Sequence, residues 1–168
     1  MSKPRVALLG LGIMGSGMAA RLLSANFPLT VYNRNPAKAA GIARAGAVVA
    51  QSPRQAASDA DIVISIVSDD LASREVWFGE NGALAGVRPG SQLIESSTVS
   101  VNWVLELAAA AVQRNCEFLD APVTGTKPHA AAGRAITTPA PSEGSLAPPR
   151  ARPRWSSPAL SAGTHEPA

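Results

Sequence analysis

Val6-Ala7-Leu8-Leu9-Gly10-Leu11-Gly12-Ile13-Met14-Gly15-Ser16-Gly17-Met18-Ala19 is the segment around which the chain is organised. It opens with an aliphatic run, turns on closely spaced glycines and continues as a helix through Arg21 and Leu23. Strand, tight turn and helix together carry G-x-G-x-x-G at Gly10, Gly12 and Gly15. Each glycine has its own physical task. Gly10 admits the turn, Gly12 lets a pyrophosphate approach the backbone, and Gly15 lets the helix close on its strand. The helix start presents unpaired N–H groups and the positive end of its dipole, a site suited to phosphates. The motif in this context predicts a dinucleotide site. A glycine-rich turn without a ligand is the alternative.

Downstream, Leu29-Thr30-Val31-Tyr32-Asn33 is a second β-rich run, and Asn26, Phe27 and Pro28 close the first helix ahead of it. Strand, helix and strand within about 30 residues make a βαβ unit with a right-handed crossover. An Asp or Glu at the end of this second strand ordinarily meets the free ribose hydroxyl of NAD. Asn33-Arg34-Asn35 stands there instead. With no carboxylate at this point to repel a 2′-phosphate, and with the Arg34 guanidinium available to stack on adenine or grip that phosphate, NADPH is favoured over NADH. Arg34 also reads as a solvated side chain ahead of a helix that starts at Asn35-Pro36, and both roles are compatible.

Further strands follow at Ala47-Val48-Val49, Asp61 to Val67, Gln92 to Glu95 and Cys116 to Asp120. Helices are expected over Pro36 to Arg44, Pro53 to Ser58, through Arg74 and Trp77, and over Val101 to Arg114, with a short helical piece at Gly82 to Leu84. The nearly unbroken apolar character of Ile62 to Val67 marks a strand covered on both faces, as in a parallel sheet. Trp103, Val104, Leu107, Ala111 and Val112 form a core stripe at helical spacing. Six strands alternating with helices predict an α/β, doubly wound parallel sheet of the Rossmann type, in the order 3-2-1-4-5-6. Ser68-Asp69-Asp70 and Ser96-Ser97-Thr98 stand at the carboxyl ends of strands, where such sheets bind ligands. Ser68 and Thr98 are therefore candidate cofactor contacts, and capping of the next helix is the competing role for each group.

The 168 residues suffice for one domain with a sizeable core. A net charge of +3, with arginines clustered only at Arg150, Arg152 and Arg154, is not a nucleic-acid-binding stripe. The single cysteine, Cys116, excludes an internal disulfide and fits a reducing compartment. No run approaches the ~18–20 apolar residues of a membrane span. A soluble cytoplasmic protein is expected, with no metal site.

Four motifs, in order, resemble the β-hydroxyacid dehydrogenases: Gly10 to Gly15, Val31-Tyr32-Asn33-Arg34, Ser96-Ser97-Thr98-Val99, and Asp120-Ala121-Pro122-Val123-Thr124-Gly125-Thr126-Lys127. The family includes 3-hydroxyisobutyrate dehydrogenase and the NADPH-using glyoxylate/succinic semialdehyde reductases, and the chain looks most like the latter branch. The resemblance covers residues 3–133, the cofactor-binding half of such an enzyme. It implies that Gly10, Leu11, Gly12, Ile13, Met14 and Gly15 hold the pyrophosphate. Asn33, Arg34 and Asn35 would surround the adenine ribose and its phosphate, with Thr98 near the nicotinamide ribose. Thr124, Gly125 and Thr126 match the loop that grips the substrate carboxylate; Thr124 replaces the usual serine and keeps its hydroxyl. The implied chemistry is hydride transfer between NADP(H) and a small hydroxyacid or semialdehyde.

The family pattern stops after Gly133. Residues 134–168 hold half of the chain's 14 prolines and show no helical or strand period, so a disordered tail is expected there. A shifted reading frame or alternative splice near Gly133 would account for the change. The lysine that serves the family as general acid/base, on a later helix, has no counterpart here. Lys127, His129 and His165 do not replace it, so no catalytic residue is assigned, and Arg150 to Trp155 reads as a solvated basic run. Two functions follow from residues 1–133: the cofactor domain of an NADP-dependent oxidoreductase, or a catalytically silent NADP-binding module. Exposure of the surface that packs on the second domain in the family predicts self-association.

Overall fold

A computed structural model of the chain describes residues 2–124 and 136–137. Six parallel strands form one sheet: β1 (Val6–Leu9), β2 (Leu29–Tyr32), β3 (Val48–Val49), β4 (Ile62–Ser65), β5 (Gln92–Glu95) and β6 (Glu117–Asp120). Their spatial order is β3-β2-β1-β4-β5-β6, the doubly wound order expected. The chain reverses direction across the sheet at β1 and β4, which opens a crevice above their carboxyl ends.

Strand pleat sorts the core into two layers. Ala7 and Leu9 of β1 join Val63 and Leu93 beneath α3 (Pro53–Ala57), α4 (Asp70–Trp77) and α5 (Val101–Gln113), packing on Trp77, Trp103 and Leu107. Val6 and Leu8 face the other way, with Leu29 and Val31, beneath α1 (Ile13–Ser24) and α2 (Ala40–Arg44). All four residues of β1 are buried, as the central strand of a two-sided sheet requires. Parallel register aligns Tyr32, Leu9, Ser65, Glu95 and Asp120 as one row across the carboxyl edge.

Local chemistry ends the helices as the sequence indicates. Asn26 adopts φ 56°, the left-handed conformation Asn tolerates, and Phe27 N–H returns to the Leu22 carbonyl to close α1. Asn35 accepts the Ala37 N–H with Pro36 in the first turn. The expected continuous helix from Pro36 to Arg44 is instead a 3₁₀ turn, Pro36–Ala39, running into α2. The strand expected over Asp61 to Val67 narrows to β4, because Asp61 turns outward to accept the Arg5 N–H and to pair with Arg88. In α5, Trp103, Leu107 and Ala111 are buried at i, i+4 and i+8, whereas Val112, expected in the stripe, is exposed. One residue past Ala111 rotates the side chain about 100° around the helix, away from the sheet.

Past β6, β7 (Val123–Thr124) pairs antiparallel with β8 (Ile136–Thr137). Ile136 and Thr137 of the expected tail thus lie in β8. The remainder of 134–168 lies outside the described residues.

Candidate functional site

The turn from β1 into α1 builds the floor of a cleft of about 400 Å3. Gly10 sits at φ +106°, open to glycine and strained for any L side chain. A Cβ on Gly15 would collide with the Gly10 carbonyl oxygen, so the first turn of α1 closes directly on the glycine turn. Gly12 meets nothing within 4 Å of where its Cβ would be: space stands open above its backbone. Gly12 is the N-cap of α1, makes no side-chain capping bond, and no acidic residue occupies the first turn. The first N–H groups of the helix are thus free donors carrying the positive end of its dipole. These donors fit a pyrophosphate.

Two walls rise from this floor. One comes from the end of β2 and the turn after it, with Tyr32, Asn33, Arg34, Asn35 and Lys38. The other comes from the end of β4 and from α4, with Ile66, Val67, Ser68, Ala72, Glu75 and Val76. Asn33 fastens the first wall to the floor: its Oδ1 accepts the Leu11 N–H at 2.8 Å, and its Nδ2 donates to the Asn35 carbonyl at 2.9 Å. Arg34 Nη1 lies 3.4 Å from Glu75 Oε2, so the two walls exchange an ion pair across the cleft.

The second wall hangs on a buried carboxylate. Glu95, wholly excluded from solvent, accepts from Ser73 Oγ at 2.5 Å and Trp77 Nε1 at 2.9 Å, both on α4. Trp103 Nε1 donates to Ser73 Oγ at 2.8 Å and joins α5 to the network. The other oxygen of Glu95 accepts the Ser97 N–H at 2.9 Å, and Ser97 Oγ accepts the Val67 N–H at 2.8 Å. One carboxylate thereby fixes both α4 and the rim at Val67, satisfying donors that would be costly to bury unpaired. Beside it in the row, burial pushes the Asp120 carboxyl above the usual range, and the Glu95 charge adds to the effect. Burial likewise raises the Cys116 thiol, which keeps it a packing residue.

Asp69 is the N-cap of α4, accepting the Ala72 N–H at 2.8 Å. That bond, followed by the Ser68 hydroxyl bond at 2.6 Å, holds its carboxyl below the usual carboxylate range. Ser68 thus lines the cleft and leaves the capping to Asp69. The cap of α5 is Ser100, not the Ser96-Ser97-Thr98 group.

Of the expected cofactor contacts, Gly10, Gly12, Ile13, Met14, Gly15, Asn33, Arg34, Asn35 and Ser68 converge on the cleft. Leu11 and Thr98 are not in its lining. The Leu11 side chain is core and its N–H is spent on Asn33. Ser97 rather than Thr98 turns inward at the end of β5, which leaves Thr98 exposed. Thr124 lies in β7, whereas Gly125 and Thr126 lie outside the described residues, as do Lys127, His129, Arg150 to Trp155 and His165. Lys38 and Glu75 were not anticipated. Lys38 follows Arg34 by four positions and could have been found by extending the Asn33-Arg34-Asn35 reading one helical turn. Glu75 is 41 residues from Arg34, and no local spacing signals it. Among the described residues no cluster of His, Cys, Asp or Glu could hold a metal ion, and no helix is long and apolar enough to cross a membrane.

Comparison with known proteins agrees with this architecture. Residues 5–147 match the NAD binding domain of 6-phosphogluconate dehydrogenase. The Bacillus subtilis oxidoreductase YfjR, itself uncharacterized, is 43% identical over 132 residues, 79% of this chain and 46% of the relative. A Mycobacterium tuberculosis 3-hydroxyisobutyrate dehydrogenase, solved with L-serine, superimposes with a TM-score of 0.77 at 33% identity, covering 84% of this chain and 47% of that one. Psf3, solved with NADP+ and 2-OPP, superimposes with a TM-score of 0.74 at 29% identity, covering 81% of this chain and 49% of that one. The chain therefore spans about half the length of these relatives. The sheet order, the glycine turn and these matches place the chain in the family of 3-hydroxyisobutyrate dehydrogenase-like oxidoreductases, over their N-terminal nucleotide-binding domain.

Proposed function

We propose that this chain is the NADP(H)-binding part of an oxidoreductase that moves hydride between the nicotinamide and a small hydroxyacid or its semialdehyde. The observation that carries the cofactor choice is the wall of Arg34 and Lys38 beside Asn33 and Asn35, with no carboxylate at the end of β2. Two cations at the adenine-ribose end favour a 2′-phosphate, and a guanidinium binds such a group through several N–H donors at once. The NADP+ held by Psf3 supports the same choice. The substrate class is suggested by the Mycobacterium tuberculosis relative, named for a hydroxyacid.

In this reading the first N–H groups of α1, from Gly12 to Met14, hold the pyrophosphate, and Gly10 and Gly15 keep the turn close enough for them to reach it. Asn33, Arg34 and Asn35 surround the adenine ribose, Lys38 adds charge, and Ser68 stands at the rim. Thr98 serves the nicotinamide ribose, and Thr124, Gly125 and Thr126 take the substrate carboxylate. NADPH supplies the hydride when bound, and the cleft residues orient it.

Titration of NADPH and NADH into the purified chain, followed by melting temperature, tests the cofactor choice. Ligand at 100 times its Kd stabilises by about 2.7 kcal/mol, so preference appears as unequal shifts at equal concentration. NADPH is expected to raise the melting temperature more. Equal shifts, or a larger one with NADH, would contradict the role given to Arg34 and Lys38.

A further inference from the structure

We propose that Glu75 is a positioning residue for cofactor discrimination: it holds Arg34 across the mouth of the cleft and yields it to a 2′-phosphate. The inference rests on the NADP reading above and adds to it the group against which the phosphate competes. Arg34 leaves the end of β2, Glu75 projects from α4, and 3.4 Å separates Nη1 from Oε2. Both side chains line the cleft and both are open to solvent, 84% for Arg34 and 52% for Glu75, so the pair is exchangeable. Asp69, the other carboxylate whose charge meets Arg34, is already committed to the Ala72 N–H and the Ser68 hydroxyl. Lys38 stands on the Arg34 wall and enters no ion pair among the described residues. Among the described residues, Glu75 is thus the carboxylate set directly against the phosphate-binding guanidinium.

The consequence is specific. A 2′-phosphate offers more charge and more acceptor oxygens than one carboxylate, so it displaces Glu75 from Arg34. The displaced carboxylate then faces the phosphate and opposes it. NAD+ lacks the phosphate and makes no such demand. Removing the Glu75 charge should tighten NADP+ by about two- to fivefold, the range of an exposed ion pair, and leave NAD+ unchanged.

Calorimetric binding of NADP+ and NAD+ to the full chain, in the wild type, Glu75→Gln, Arg34→Ala and the double variant, tests this. Glu75→Gln is expected to tighten NADP+ alone, and most of that gain should vanish without Arg34. A merely structural role would move both nucleotides together. If Glu75→Gln changes both equally, or neither, while Arg34→Ala still weakens NADP+, the inference falls and the NADP reading stands. If wild type shows no preference for NADP+ and Arg34→Ala changes nothing, the NADP reading falls and takes the inference with it. Glu75 is exposed, so an unchanged melting temperature should accompany the substitution.

Discussion

Gly12 and Gly15 lie three positions apart on one turn of backbone, yet their missing side chains do different work. At Gly15 a Cβ would strike the Gly10 carbonyl oxygen, a backbone atom that cannot swing aside. Gly15→Ala should therefore lower stability by about 1–3 kcal/mol, the range for an overpacked interior. At Gly12 a Cβ would meet no protein atom within 4 Å, and φ is −70°. Gly12→Ala should leave the denaturation midpoint nearly unchanged and weaken dinucleotide binding tenfold or more, about 1.4 kcal/mol. Denaturant unfolding and calorimetric titration of both variants separate the two outcomes. A Gly12→Ala protein that binds as well as wild type would remove the pyrophosphate from this turn. The motif assigned Gly15 to helix packing and Gly12 to close ligand approach; the neighbouring atoms add what a Cβ would meet at each.

Among the elements, α4 is tied to α5 by its first turn and to the sheet by its middle and last residues. Its interior contacts reach Glu95 through Ser73 and Trp77, and its first turn reaches α5 through Asp70. Asp70 accepts from the Ser100 hydroxyl and, at 2.8 Å, from the Ser100 N–H. The hydroxyl bond first, then the N–H bond, lowers the Asp70 carboxyl below its ordinary value. A carboxyl depressed in the folded state stabilises above the unfolded value of about 3.9, and that contribution is lost as pH falls through the depressed one. Melting temperatures of wild type and Asp70→Asn should therefore differ at neutral pH and converge once pH falls below the depressed carboxyl value. A constant difference across that range would show that the α4–α5 link does not depend on the charge. Asp70 was read as one of several capping candidates beside Ser68 and Asp69. Choosing among the three depended on α5 lying across from α4, a fact of packing that local sequence does not carry.

At the scale of the molecule, α5 presents Val101, Leu105 and Val112 to solvent at 74%, 54% and 66% exposure. Val101 and Leu105 share a helix face by their spacing of four, and Val112 lies two turns further along. Exposed apolar side chains of this size favour association at high concentration. Light scattering should give a mass that rises with concentration, and replacement of Leu105 by Lys should reduce the rise. A constant monomer mass up to millimolar chain would overturn self-association through this face.

The sequence by itself determined the doubly wound sheet, its strand order and the floor of the cleft. The glycine turn, the apolar strand runs and the helix caps are local signals, each written within one or two turns of chain. Tertiary structure decided what distant residues do when the sheet brings them together. Glu95 ends β5 in the sequence; it is buried because the register sets it under Ser73 and Trp77, which donate to its carboxylate, while Trp103 donates to Ser73. Glu75 carries no local signal in the sequence; it faces Arg34 because β2 and β4 flank β1 and direct the chain that follows them to opposite sides of one crevice. Periodicity reports which face of an element is buried, whereas the partner across a cleft is fixed by the order of strands in the sheet.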